Sequence, residues 1–363
     1  MSSWQDSLTP ALYLEECHFL TTIPLAKDSG MTTWILVNRE HLPDDRIIFS
    51  SCETYRKQSI TSDTKGVISE NIVHGIASVF SPSTYRGRGY AARMMKELIP
   101  ILYQWQTDEK PCVGTTLYSD IGRKYYANLG WTVNVTNTQI EIKADTKSWP
   151  LSASRILDED LAELCASDEA LVRNQMSTPS AGEDLRFCVL PDTDHMRWHH
   201  GKEDFSTKHL FGKTPQARGV IFGEPGNQMW AIWSRRYYGR HDSEYANNVL
   251  YILRLVIETG QNPNRVLEEK EENPDHGSRQ AQVQQLKMVL EAAQAEAAAW
   301  HLDVVKLWDP SPVVLDLLPA TDITFEVVER QNESIASLFW YDEKGKKAKR
   351  LPLWVNNEHY AWQ

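Results

Sequence analysis

Tyr85-Arg86-Gly87-Arg88-Gly89-Tyr90-Ala91-Ala92-Arg93-Met94-Met95 follows an alternating apolar segment (Ile76, Ala77, Val79, Phe80) and opens a helical pattern. A strand, a glycine-containing turn and a helix in that order make a geometry that binds phosphate. The first N–H groups of a helix lack internal partners, and the helix dipole places partial positive charge there. Gly87 and Gly89 allow close backbone approach, and Arg86 and Arg88 add charge. Other phosphate loops fit less well. No Gly-x-x-x-x-Gly-Lys-Ser/Thr is present, which argues against a nucleotide triphosphatase. A dinucleotide fold would need a third glycine and an acidic residue roughly 20 positions on. A basic surface turn before an ordinary helix is the plain alternative.

A second segment weighs against that alternative. Residues 112–131 read Cys-Val-Gly-Thr-Thr-Leu-Tyr-Ser-Asp-Ile-Gly-Arg-Lys-Tyr-Tyr-Ala-Asn-Leu-Gly-Trp. An apolar run ends at Tyr118; Ser119 or Asp120 is expected to cap a short helix that Gly130 stops. Arg86-x-x-Gly89-x-Ala91 resembles the pyrophosphate loop of the GNAT acetyltransferases. Tyr126-x-x-x-Gly130-Trp131 resembles that family's tyrosine four residues before a Gly-aromatic pair. The resemblance implies acetyl-coenzyme A as co-substrate, held at the strand end by Val79, Phe80 and Ser81. The loop would add Arg86, Gly87, Arg88, Gly89, Tyr90 and Ala91, with Ser119 and Tyr126 beyond it. It also implies that the Tyr126 hydroxyl lies near the coenzyme sulfur. The family often has Asn seven residues before this tyrosine, where this chain has Ser119.

Length suggests two or three domains of ordinary size. The core supply is adequate, with 41% hydrophobic residues, 13 Trp and 14 Tyr. A net charge of −11 argues against general nucleic-acid binding and is compatible with a cationic substrate or a solvated acidic surface. The five cysteines are dispersed without a Cys-x-x-Cys pair, which suits buried thiols in a reducing compartment rather than disulfides or zinc. No signal-peptide pattern or apolar run of membrane length is present, so a soluble cytoplasmic protein is expected. Oligomeric state is left open.

The expected fold is α/β with mixed sheets. Residues 1–148 read as one GNAT domain. Tyr13-Leu14 starts a short strand, residues 23–31 suit a helix, and strands follow at 33–37, 47–55 and 71–80. The basic helix covers about 88–104 and is kinked or ended early by Pro100. The strand ending at Tyr118, the short helix and the strand after Trp131 complete this unit. Residues 149–363 read as a second domain, after a linker around Trp149-Pro150. Its expected elements are a helix at 158–176 and strands at 187–190, 219–222, 229–233 and 249–257. A long helix (278–301), a strand (304–308), a short helix (313–317) and strands at 335–340 and 353–355 follow. This order repeats the first half, so a degenerate GNAT-like copy is expected, an unrelated α/β domain being the alternative. Its counterpart of the phosphate loop, Thr259-Gly260-Gln261-Asn262-Pro263-Asn264, precedes the acidic run Glu268–Glu272, so no coenzyme is expected there.

Acetyl transfer to an amine needs a proton acceptor, donors for the developing oxyanion near Phe80, and a proton donor for the departing thiolate. Tyr126 is the candidate donor; packing of a buried ring is its ordinary alternative. Glu53, Glu70, Asp120, the C-terminal carboxylate of Gln363 and a water relay stay open as the base. His195 and His199 could ligate a metal from a helix, but no third ligand is evident and no metal is expected. Together with Leu117–Gly122 and Trp198-His199-His200, the motifs are similar to the fungal lysine N6-acetyltransferases. That resemblance implies free L-lysine as the small-molecule acceptor, in lysine catabolism, with neither nucleic acid nor membrane as partner. Another amine (a polyamine, an aminoglycoside or a protein lysine) and a non-catalytic coenzyme A-binding module are the rival readings.

Overall fold

Two right-sized βαβ units, built from the strongest apolar runs of the chain, set the architecture. A computed structural model describes residues 4–146, 148–180, 182, 184–240, 246–258 and 276–363. The first unit is β3 (Ile68–Phe80), α2 (Tyr90–Leu102) and β4 (Cys112–Ser119), with β3 and β4 parallel neighbours. The second is β11 (Val249–Ile257), α6 (His276–Ala299) and β12 (Val304–Trp308), again parallel neighbours. Each helix buries one stripe on its own sheet. Met94, Met95, Leu98 and Leu102 of α2 pack on Ile72, Ile76 and Leu117. Leu286, Val289, Leu290, Ala293 and Ala297 of α6 pack on Ala231, Ile252 and Val305. Apart from Met94, these are positions expected from helical spacing.

The remaining strands extend both units. In the first sheet β2 (Ser50–Ser62) pairs antiparallel with β3, and the other edge of β2 carries both β1 (Met31–Leu36) and β8 (Arg186–Val189). The two-residue β15 (Leu353–Trp354) closes that edge. In the second sheet β10 (Met229–Arg236), β9 (Gly219–Phe222) and β7 (Ser154–Ile156) extend from β11.

Beyond β4 and β12 the chain exchanges strands. After α3 (Lys124–Ala127), β5 (Thr132–Val133) stays in the first sheet, but β6 (Thr138–Lys143) crosses to pair with β12 of the second. After α7 (Pro312–Leu317), β13 (Glu326–Glu329) pairs with β6, and β14 (Ile335–Trp340) crosses back between β4 and β5. The strand after Trp131, β5, thus stays in the first unit, while β6, also before residue 148, belongs to the second sheet and β14, after it, to the first. Residues 1–148 alone would leave β4 without its β14 neighbour. Between the sheets Val73, Phe187 and Leu338 share a core with Trp230, Ile232 and Leu253.

Several local expectations are corrected. Tyr13 lies within α1 (Pro10–Leu20), not a strand; the Thr9 hydroxyl accepts from Leu12 N–H at 3.3 Å, and Pro10 opens the helix. The helix expected at 23–31 is a series of turns, with left-handed backbone at Asp28 (φ 52°) and Ser29 (φ 69°) that a helix cannot contain. Neither Ser119 nor Asp120 caps α3; Ser119 Oγ instead accepts from Ile121 N–H and donates to the Gly122 carbonyl. The strand expected at 187–190 joins the first sheet, not the second. α2 runs past Pro100 and ends at Leu102, shortly before the expected 104. The polar helix α4 (Leu161–Ser177) matches its expected position closely, whereas α5 (Thr193–Phe211) had only a conditional reading. The segments Thr259–Asn264 and Glu268–Glu272 lie outside the described residues. Among the described residues, no helix is long and apolar enough to cross a membrane.

Candidate active site

The coenzyme-loop residues gather at one opening in the first sheet. β3 and β4 pair from Ile72/Cys112 to Ile76/Leu117, then part from each other, β3 staying paired to β2 at Phe80/Ser51 and β4 to β14 at Ser119/Ile335. An extra residue in β3 near Ser78, whose φ is 53°, bulges the strand there. The wedge so formed opens onto the loop 81–89 and the start of α2. Gly89 ends that loop with φ 80°, and no side chain caps α2. Gly87 also has a positive φ of 74°, and a Cβ added at either glycine would meet no atom within 4 Å. Space, a left-handed backbone and uncapped helix N–H groups suit an anion with several oxygens.

Side chains frame this cradle. Arg86 Nε donates to the Ser81 carbonyl at 3.0 Å, and its guanidinium sits 5.5 Å over the Phe80 ring. Arg88 lies 5.8 Å over Tyr85, and Tyr90 stacks on Phe49 at 4.6 Å. Among the described residues the buried Ser81 hydroxyl has no hydrogen-bond partner, and Ser81 lines the cavity described next. The loop thus holds itself in shape with cation–π contacts.

A cavity of about 1800 Å³ connects the wedge to a chamber between the two sheets. Val79, Phe80, Ser81, Arg86, Ala91 and Tyr126 all line it. Tyr126, on α3, is nine-tenths buried beside Tyr125 and Trp131, and its hydroxyl takes part in no hydrogen bond among the described residues. Burial pushes its phenol well above the usual range, so it holds its proton at neutral pH. Ser119 is buried at the wedge rim, with its hydroxyl spent on the turn at Gly122. Gly87, Arg88, Gly89 and Tyr90 belong to the loop but not to the cavity wall.

The three side-chain candidates for the base separate clearly. Glu53 lines the cavity opposite the β3 bulge and accepts from the Ser78 hydroxyl at 2.9 Å. Burial raises its carboxyl, partly opposed by that hydrogen bond. Glu70 lies outside the cavity wall; hydrogen bonds from Arg173 and Lys110 hold its carboxyl below the usual range. It is a surface ion-pair member. Asp120 lines the cavity and accepts from Ser334 N–H at 2.9 Å across to β14. Gln363 also lines the cavity, its side-chain amide donating to the Tyr360 carbonyl.

The far wall comes from the second half. Trp198, Lys202, Arg236, Tyr238, Tyr251 and Trp362 face the chamber. Lys202 pairs with Glu16 at 2.6 Å, and Arg236 with Asp6 at 3.1 Å, so both cations are neutralised by N-terminal carboxylates. Arg236 is also packed between Trp362 and Tyr238, at 4.6 and 4.8 Å. Sequence reading singled out Trp198 within its motif but missed Lys202, Arg236, Tyr238 and Tyr251, which come from separate elements with no common motif.

The second unit has a corresponding wedge, filled by the chain itself. β11 and β12 pair only to Ile252/Leu307. Beyond that point the Glu358 carboxylate accepts from Leu255 N–H at 2.9 Å and pairs with Arg254. Arg254 in turn grips Asp168 through two 2.8 Å bonds. A buried carboxylate thus sits where a coenzyme would need to enter. The histidines of α5 are likewise committed. His195 Nδ1 meets Asp192 at 2.7 Å, and His199 Nε2 and His200 Nε2 meet the carbonyls of Tyr360 and Trp233. Among the described residues, no group of three or more candidate ligands could hold a metal ion.

A family model described as the LYC1 GNAT-like C-terminal domain matches residues 137–363, beginning one residue before β6. A lysine acetyltransferase of Yarrowia lipolytica is 22% identical over 238 residues, covering 54% of this chain and 59% of that protein. The chain thus spans under two thirds of that relative. An uncharacterized Saccharomyces cerevisiae protein is 24% identical, over 92% of this chain and 82% of the other. Among solved structures, a probable N-acyltransferase from Enterococcus faecalis aligns over 90% of this chain and 70% of its own, at 14% identity and a TM-score of 0.42. Saccharomyces cerevisiae N-myristoyltransferase with bound myristoyl-CoA covers the same shares at 9% identity and a TM-score of 0.48.

Proposed function

Because the chain belongs to the LYC1 GNAT-like family, we propose that it is an N-acetyltransferase moving acetyl from acetyl-coenzyme A to the ε-amine of free L-lysine. The observation that carries this reading is a single cavity joining the loop-flanked β3–β4 wedge to a carboxylate- and aromatic-lined chamber. The named Yarrowia relative supports lysine as the acceptor.

The reaction follows from the placement of groups. The diphosphate lies against the loop 86–91 and the first N–H groups of α2. The acetyl thioester then lies in the wedge, its carbonyl near the bulged backbone of β3, whose amides face a developing oxyanion. The acceptor enters as an ammonium, attracted by the carboxylates of the chamber. At pH 7 only on the order of one lysine side chain in 10³ is the free amine. Glu53 takes the proton. The amine nitrogen attacks the acetyl carbon and the new C–N bond forms; the nitrogen sheds its second proton to solvent, to which Glu53 also releases the first, and the C–S bond breaks. Tyr126 supplies the proton to the leaving sulfur and regains one from solvent. Burial raises Glu53, making it a stronger base than a solvated carboxylate, and keeps Tyr126 protonated.

Tyr126→Phe should fold normally, since the hydroxyl supports no hydrogen bond in the fold, and should bind acetyl-coenzyme A unchanged. Its turnover should fall about 10²-fold, the usual scale for a lost acid–base group. Stopped-flow release of coenzyme A checks this; unchanged turnover assigns the tyrosine to packing.

The test of the function is an amine panel with acetyl-coenzyme A and product mass: L-lysine, spermidine, an aminoglycoside and a histone peptide. L-lysine should gain one acetyl group on its ε-amine, faster as pH rises from about 7 to 9 because more amine is un-ionised. Rapid acetylation of another member with lysine untouched would replace the acceptor. Binding of coenzyme without release from any amine would leave a non-catalytic module.

A further inference from the structure

Lys57 lies in the middle of β2, only 1% exposed. Among the described residues no carboxylate pairs with it; burial pulls its ammonium down to about 7, with Asp192 acting weakly the other way. Its Nζ donates to the carbonyl of Ala361. The side chain passes across β3 at Gly75, where an added Cβ would stand 2.4 Å from Lys57 Cε and 2.6 Å from Nζ. A mid-strand glycine weakens a strand, and here its missing side chain is the space the lysine occupies. An ammonium is costly to bury, so what it holds matters.

What it holds is the segment that walls the acceptor chamber. Ala361 is followed directly by Trp362 and Gln363, both on the cavity wall. From the other side, His199 of α5 meets the Tyr360 carbonyl at 3.2 Å. Trp362 then packs edge-on to Trp198, 6.1 Å away, and beneath Arg236. Gly75 lies on the same strand as the bulge at Ser78, so one strand faces both the coenzyme wedge and this tether.

We propose that Lys57, passing through the gap at Gly75, is a positioning residue that tethers Ala361 and so sets Trp362 and Gln363 as the wall against which the acceptor amine is placed. This rests on the acetyltransferase reading, with the tether itself measurable without activity.

The test uses full-length Lys57→Met and Gly75→Ala. Hydrogen exchange is read over residues 358–363, together with melting temperature and steady-state constants for lysine and acetyl-coenzyme A. Lys57→Met removes a buried charge, so it should melt no lower than the wild type. Exchange in the segment should accelerate about 10-fold, and KM for lysine should rise about 10-fold with kcat changed less than about 3-fold. KM for acetyl-coenzyme A should not move. Gly75→Ala should shift the same quantities the same way with Lys57 still present, and it carries the test if Lys57→Met does not fold. Unchanged exchange in a folded variant overturns the proposal. So does a parallel loss of melting temperature, kcat and coenzyme affinity, which marks a merely structural lysine. If the wild type acetylates no amine, the functional reading fails by itself, and accelerated exchange still sustains the tether.

Discussion

Glu53→Gln is expected to lower kcat for lysine about 10³-fold at pH 7 while coenzyme affinity stays unchanged. The substitution keeps shape and the hydrogen bond from Ser78 but removes the proton acceptor. Its effect on folding should be small, because burial already disfavours the charged form of this carboxyl. The pH profile gives the sharper reading. In the wild type, activity should fall as pH drops through the raised Glu53 value, because the base becomes protonated. In the variant that limb should vanish, leaving a rate that climbs about tenfold per pH unit with the free-amine fraction, up to the amine pKa near 10.4. A variant with wild-type kcat and profile would pass the role to Asp120 or a water relay.

Gly89→Glu should weaken acetyl-coenzyme A binding by more than about 10²-fold, roughly 3 kcal/mol. Two effects add. Gly89 has φ 80°, a conformation costing a residue with a side chain roughly 1–2 kcal/mol. The new carboxylate would then stand at the start of α2, where the diphosphate binds. No atom lies within 4 Å of the Cβ position, so the fold has room for the side chain, and the loss should be of binding. Calorimetry should find one coenzyme per wild-type chain and none for this variant at comparable concentration. Two equal sites per wild-type chain would contradict the filled state of the second wedge, where Glu358 occupies the gap beside Leu255.

Much of this was legible locally. The strands Val249–Ile257, Val304–Trp308 and Ile335–Trp340 form over the residues their apolar runs predict. The stripe of α6 is buried as spaced. The loop at Arg86–Ala91 sits between a strand and a helix as its glycines require. α5 was harder, because its inward face carries His195, His199, His200 and Glu203 where a periodicity reading looks for apolar side chains. Those polar groups are affordable only because carbonyls and arginines from other elements meet them.

By itself, the sequence determined where backbone becomes strand, turn or helix in most of the chain, and which loop can cradle a diphosphate. Those outcomes depend on period, turn chemistry and helix ends within a few residues. Tertiary structure alone decided that β6 and β14 change sheets. Gln139-Ile140-Glu141-Ile142 alternates as a half-buried strand in either place, and only the free edges of β12 and β4 distinguish them. It also decided between Glu53 and Glu70, two strand carboxylates alike in sequence. One is half-buried beside a bulge at the cavity, and the other is neutralised by Arg173 and Lys110. Proton affinity follows from desolvation and neighbouring charge, and both are set by residues far away in the chain.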